Sequence, residues 1–273
     1  MSSNAPPEQR FADREDLARI REFIHRVMRG SATQVVPTRG GFAVLNRDFP
    51  ASYEHNCLVV EEAVEPSLLM QEAERVQGGA GLLHRTLEVE LEQVDPDWTA
   101  QFRARGFAVL PTVTMALRHP PGRESTTPVA RVSYDELKPV VETGWRRSLP
   151  LASPRTIAEL VNRRNATSRA CAVTHHVVRC PEGIVARADL YRIPPIAQIE
   201  NVETEPDWQN RGYATAVVLN AIEVARSGGC DLIFLLADAD DWPQHFYRRL
   251  GFVQVGGGFS LQLASVIPST VAE

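Results

Sequence analysis

The chain has 273 residues, 44% of them hydrophobic and 23% charged, with 29 Lys+Arg against 34 Asp+Glu and a net charge of −5. That is enough chain for one large globular domain or two small ones, and the acidic balance argues against a nucleic-acid partner. No apolar run is long enough to span a bilayer, so no membrane partner is expected. Four scattered cysteines (Cys57, Cys171, Cys180, Cys230) read as free thiols, and the polar start with Pro6-Pro7 is unlike a signal peptide. The expected location is cytoplasmic.

In chain order, residues 13–28 have helical spacing at Leu17, Ile20, Ile24 and Val27. Residues 42–45 and 57–60 read as strands, 67–76 as a helix, and 86–91 as a strand alternating Leu87, Val89 and Leu91. Residues 119–128, His-Pro-Pro-Gly-Arg-Glu-Ser-Thr-Thr-Pro, have linker composition and divide the chain. Beyond them, 134–145 and 154–165 read as helices, and 171–178 and 184–191 as a hairpin around a Cys180–Gly183 turn. An apolar strand at 196–202, an amphipathic helix at 215–226 and an apolar strand at 232–237 follow. A helix from Trp242 and a final strand pair including 259–263 complete the pattern.

The two halves repeat one another. Residues 73–79, ending Gly78-Gly79, parallel 223–229, ending Gly228-Gly229, each before a strand. Asp97-Trp98 leading to Gly106-Phe107 parallels Asp241-Trp242 leading to Gly251-Phe252, which indicates a tandem repeat. The copies differ in chemistry. Where the second half has Gln209-Asn210-Arg211-Gly212-Tyr213-Ala214 before its helix, the first has Val64-Glu65-Pro66-Ser67, whose acid repels a phosphate. Arg103 stands where the second half has Tyr247.

The hexapeptide 209–214 lies between a strand and a helix. A helix start carries unpaired N–H groups and partial positive charge and so attracts anions. Gly212 permits close approach, and Arg211 adds a cation. Together with Tyr247-Arg248-Arg249-Leu250-Gly251-Phe252, residues 200–252 resemble the GNAT superfamily of acyl-CoA-dependent N-acyltransferases. That family carries [QR]-x-x-G-x-[GA] at the helix binding the CoA pyrophosphate. The resemblance implies an α+β (α/β) fold, here a tandem GNAT with two mixed central sheets flanked by helices. It places a degenerate copy without a CoA site at 1–118, a linker at 119–128, and the catalytic copy at 129–273. The rest of the chain matches at the level of fold, and its layout is also similar to that of mycothiol synthase.

The resemblance implies acetyl-CoA as acyl donor, with no metal, and a small-molecule amine as acceptor, in a monomer or homodimer. Gln209, Asn210, Arg211, Gly212, Tyr213 and Ala214 would grip the pyrophosphate. The backbone of Val202, Glu203 and Thr204 would hold the pantetheine, with Asp240 near it where many members carry asparagine. Tyr247 would be the general acid returning a proton to the thiolate; the alternative is a packing tyrosine. Glu200 is the candidate general base, because a carboxylate in so apolar a strand is costly unless paired or functional. Its alternative is a structural partner for Arg187 or Arg192. Period two places Gln198, Glu200 and Val202 on one face and Asn201 and Glu203 on the other. His175-His176 alternate across a strand and cannot aim both rings at one ion. Other readings are an acyl-CoA-binding sensor or pseudo-enzyme, or a protein or peptide N-acetyltransferase.

Overall fold

A computed structural model describes residues 7–91, 94–239 and 243–264. The chain begins with α1 (Pro7–Ser31), β1 (Gln34–Thr38), β2 (Gly41–Leu45), β3 (Cys57–Val60), α2 (Pro66–Ala73), β4 (His84–Val89), α3 (Pro96–Ala104) and β5 (Ala108–Leu117). It continues with β6 (Ala130–Val132), α4 (Tyr134–Ser148), α5 (Pro154–Asn162), α6 (Arg164–Ala170), β7 (Ala172–Cys180), β8 (Gly183–Ile193) and β9 (Ile196–Thr204). The last elements are α7 (Tyr213–Ser227), β10 (Leu232–Asp238), α8 (Pro243–Arg249) and β11 (Phe252–Ala264).

Contacts sort these elements into two units. The larger holds α1 and residues 112–257; the smaller holds residues 32–111 and the end of β11 from Gly258. This cuts the chain differently from the linear division at 119–128. That segment lacks helix or strand, as its composition predicts, yet lies inside the larger unit. Composition marks where a chain is irregular, whereas a unit is bounded by its contacts.

In the larger unit the strands run β5-β10-β9-β8-β7-β6, with β9 and β10 parallel and the other neighbours antiparallel. Alternation along β8 and β9 sends Ala188, Leu190, Ala197 and Ile199 to one face, where α7 buries Val217, Val218, Ala221 and Ile222 against them. On the other face α1 packs Phe23 edge-on to Phe234, 5.4 Å between centroids, and α4 and α5 surround Val177 with Leu137, Val141 and Ile157. Local chemistry sets the helix starts. Ser133 and Glu136 form a capping box on α4, and Ser153 caps α5 ahead of Pro154. The single helix expected at 154–165 is two, α5 and α6, meeting at Arg163.

In the smaller unit the order is β1-β2-β3-β4-β11, with β3 and β4 parallel. Leu58, Leu69, Leu87, Phe102 and Leu261 form its core. Asp95 caps α3 before Pro96, and α2 runs on into a π turn over Glu74–Gly78. Strands β1 and β6, both short and mostly exposed, have no counterpart among the sequence-based expectations. The final strand pair is one long strand, β11, within the described residues.

Candidate functional site

The parallel strands β9 and β10 pair only at Ile196↔Leu232, Ala197↔Ile233 and Gln198↔Phe234. Both run on, to Thr204 and Asp238, so beyond Gln198 they part. A wedge opens, and the backbone edge of β9 facing it has no partner in β10. An extended ligand can add to such an edge as a strand would. Within this stretch Thr204 Oγ1 is buried without a hydrogen-bond partner, a donor and acceptor that a ligand can satisfy.

The β9 end leads into the turn before α7. Asn210 (φ 61°) and Gly212 (φ 81°) are both left-handed, so the chain curls tightly into the helix. Gly212 is the N-cap and lacks a side-chain cap, which leaves the first amides of α7 free of side-chain acceptors. An ideal Cβ on Gly212 would meet nothing within 4 Å, so the space above this helix start is open. The buried residues of α7 begin at Thr215, and Tyr213 and Ala214 stand at the mouth of this cradle, each partly exposed. Gln209 precedes the left-handed residues and closes a short turn onto Pro206. Arg211 donates to the Asp207 carbonyl at 3.0 Å and lies over the Trp208 ring at 4.7 Å. Its charge sits beside the cradle.

A bulge in β9 corrects the strict alternation read from sequence. Asp189 pairs with Glu200 and Arg187 with Glu203, so β9 spends three residues where β8 spends two. The distortion is at Asn201, which takes φ 52°. Beyond it the faces exchange: Glu203 joins Gln198 and Glu200, while Val202 turns to the α7 core. Period two fails here because the extra residue shifts every later side chain to the other face.

Glu200 is half-buried and accepts from Gln198 Nε2 at 2.6 Å. Of the two arginines named as alternative partners, Arg187 and Arg192, the first pairs with Glu203. Tyr247 is nearly buried, on α8, against Phe246 (5.1 Å) and Phe252 (6.0 Å). Burial pushes its phenol far up, and the charge of Glu200 pushes it further. The two candidates for proton transfer therefore share one electrostatic neighbourhood. A phenol held this firmly protonated at neutral pH is a donor.

Glu203 and Glu205 are joined by arginines. Arg147 reaches Glu205 at 2.7 Å and Glu203 at 3.3 Å, and the buried Arg187 holds the other Glu203 oxygen. The Glu203 side chain is thus occupied, and what β9 offers the wedge at this position is backbone. Asp240, and with it Asp241 and Trp242, lies outside the described residues. His175 and His176 point to opposite faces: His175 Nδ1 meets Asp189 at 2.7 Å, and His176 Nδ1 meets Asn220 at 2.8 Å. Sequence reasoning passed over Asp189 and Arg147, and named Arg187 only as a possible partner of Glu200. Two charges at i and i+2 in the apolar strand 184–191, Arg187 and Asp189, were the available signal for the aspartate.

The family model described as acetyltransferase (GNAT) family matches residues 143–252. A glucosamine 6-phosphate N-acetyltransferase of Trypanosoma brucei brucei is 31% identical over 109 residues, covering 37% of this chain and 73% of that protein. A GCN5-related N-acetyltransferase from Kribbella flavida superposes with a TM-score of 0.59 over 92% of this chain and 95% of its own, at 17% identity. A tandem GNAT protein from the clavulanic acid biosynthesis pathway gives a TM-score of 0.50 over 73% of this chain and 68% of its own, at 14% identity. At those identities the two structures speak to fold, and they bear out a mixed α and β, GNAT-type architecture.

Proposed function

The chain belongs to the acetyltransferase (GNAT) family and is an acyl-CoA-dependent N-acetyltransferase, and from that premise we propose that it moves an acetyl group from acetyl-CoA to the amine of a small molecule by direct attack in a ternary complex. The supporting observation is the wedge between β9 and β10, which ends at an uncapped helix start. Gln209, Asn210, Gly212, Tyr213 and Ala214 would hold the pyrophosphate through backbone amides, with Arg211 beside them. The free edge at Val202, Glu203 and Thr204 would hold the pantetheine, and the Thr204 hydroxyl gains the partner it lacks. Bound acetyl-CoA supplies an activated acyl carbonyl and a thiolate leaving group.

The chain's own residues handle the protons. Glu200 accepts one from the acceptor ammonium, directly or through water, so that a neutral amine attacks. Tyr247 Oη gives one to the departing sulfur. The smaller unit serves as a degenerate copy of the same fold, without a CoA site. The relative's name makes glucosamine 6-phosphate the first acceptor to try. The test is thiol release from acetyl-CoA against a panel of that sugar phosphate, unphosphorylated glucosamine, polyamines and peptides. Turnover with a small amine supports the reading. Tight acetyl-CoA binding with no thiol release on any amine would make this a binding protein instead.

A further inference from the structure

At the opposite end of α7 from the cradle lies a cavity of about 520 Å³, whose lining includes Arg131, Arg192, Asn220, Glu223, Ser227 and Gly228. The fifteen residues of α7 put it about 22 Å from the Gly212 turn. Asn220, Glu223 and Ser227, spaced three and four apart, form one stripe of the helix. Arg131 stands opposite His176 across β6 and β7, and His176 opposite Ala188 across β7 and β8, so Arg131 lies on the α7 face of the sheet. Arg192 shares that face, two positions beyond Leu190 on β8. Burial lowers the His176 pKa and the charge of Arg131 lowers it further, so the ring is neutral. Its Nδ1 faces Asn220 Oδ1 at 2.8 Å, which leaves the Asn220 amide nitrogen, in the cavity wall, as a spare donor.

The two arginines have nothing to hold. Arg192 Nε is buried without a hydrogen-bond partner, and among the described residues neither guanidinium has an ion pair. The helix end does not need Arg192 as a cap, because the Val224, Ala225 and Arg226 carbonyls already accept from the Gly228, Cys230 and Gly229 amides. Gly228 makes room for it, since a Cβ there would run into Nη1. The repeat in the smaller unit supplies a control. There Arg85 sits against Gly78, the first glycine of the corresponding pair. Its guanidinium is saturated, by Glu74 at 2.8 Å and by the Leu82 and His84 carbonyls at 2.7 and 2.8 Å. The parallel between 73–79 and 223–229 puts Val224 where that half has Glu74. The arginine at the α7 end therefore lacks the acid that neutralises its counterpart, and a buried guanidinium N–H without an acceptor is costly unless something supplies one.

We propose that this cavity is a second, non-catalytic site that binds a small phosphate monoester, with Arg131 and Arg192 on the phosphate and Glu223 accepting from a hydroxyl or ammonium group of the same molecule. Two guanidinium forks arriving from different strands suit a tetrahedral dianion, whose oxygens face several directions, better than a planar monocarboxylate. Glu223 repels bare phosphate and so favours an ester that brings a donor of its own. The site is independent of the acyl-CoA reading.

The buried Arg192 Nε–H gives its own proton–nitrogen NMR signal, identified by its loss in Arg192→Lys, which keeps the charge. The probes are glycerol phosphate, inorganic phosphate and acetate, at an ionic strength held constant with chloride. Glycerol phosphate should shift the signal saturably, inorganic phosphate should bind more weakly, and acetate weakest of all. Arg131→Gln, at an exposed position that leaves folding intact, should weaken glycerol phosphate by about 10-fold. Gly228→Ala, at φ −84° where alanine fits, swings the Arg192 guanidinium aside and should weaken it by a similar factor. Glu223→Gln should tighten inorganic phosphate and narrow its gap to glycerol phosphate. Phosphate held only at the α7 start would leave the Arg192 signal unmoved, and that result overturns the proposal. So does a shift that chloride alone reproduces, or an Arg131→Gln variant that binds as the wild type does. Acetate binding as tightly as glycerol phosphate overturns the assignment to a phosphate.

Discussion

Two places in the chain have the same order of elements, parallel strand, helix, parallel strand, and opposite outcomes. In β9-α7-β10 the strands pair at three positions and then part, and α7 starts at a left-handed glycine with no cap. In β3-α2-β4 the strands pair to their ends, Leu58↔Leu87, Val59↔Glu88 and Val60↔Val89, and Glu90 N–H still donates to the Val60 carbonyl at 3.0 Å. The slot that opens in one is hydrogen-bonded shut in the other. The start of α2 is closed as well: Glu65 is its N-cap, Pro66 follows without an N–H, and the Trp98 indole donates to Val64 O at 2.9 Å. An anion cradle needs open space and free amides together, and the α2 start offers an acid, a proline and an indole instead.

This contrast can be broken by experiment. The largest effect should come from Tyr247→Phe, because the smaller unit has Arg103 at the corresponding place and no phenol to substitute. Turnover should drop by about 10²–10⁴-fold with acetyl-CoA affinity within a few-fold. Full turnover under conditions where chemistry limits the rate would make Tyr247 a packing residue. Next, Gly212→Glu forces a side chain into φ 81° and sets a carboxylate over the cradle, and should weaken acetyl-CoA by about 10- to 10²-fold. Glu65→Gln, at the α2 start, should leave affinity unchanged. Titration calorimetry on both variants checks the pair, and a wild-type stoichiometry of two equivalent sites per chain would erase the distinction between the halves.

Glu200→Gln should lower the rate at neutral pH by about 10-fold, a loss that shrinks as pH rises and more substrate amine is already neutral. A defect constant with pH, accompanied by a lower melting temperature, would mark Glu200 as structural. The smallest effect concerns stability of the smaller unit. Burial raises the Glu88 carboxyl from 4.5 to about 7; the Ser260 hydroxyl, donating at 2.9 Å, opposes the shift, and the charges of Glu54 and Glu90 add to it. Between those pH values the folded state keeps a proton that the unfolded chain has lost, so stability falls as pH rises through this window. Glu88→Gln should therefore gain about 1 kcal/mol over the wild type at pH 8 and nothing at pH 4, the residue being partly exposed. A melting-temperature difference that is the same at both pH values would show that the Glu88 carboxyl titrates alike in the folded and the unfolded chain.

Much of this was legible in the chain. Helical spacing located α1 and α7, alternation located β4, and the order hexapeptide, strand, Tyr247–Phe252 was specific enough to point to the family. Those features are local, set by neighbours within a turn or two, and a linear reading captures them. Three others are not local. The unit boundaries depend on which distant strands pair, so α1 and the end of β11 fall where composition does not send them. The wedge depends on where two strands stop bonding, and nothing in residues 199–204 or 235–238 states it. The bulge at Asn201 is the clearest case: one asparagine, held by a buried aspartate twelve residues earlier, reverses the facing of Glu203. Motif and periodicity establish that an acyl-transfer fold is present. Which side chains meet across the site follows from long-range pairing, because one inserted residue changes every face beyond it.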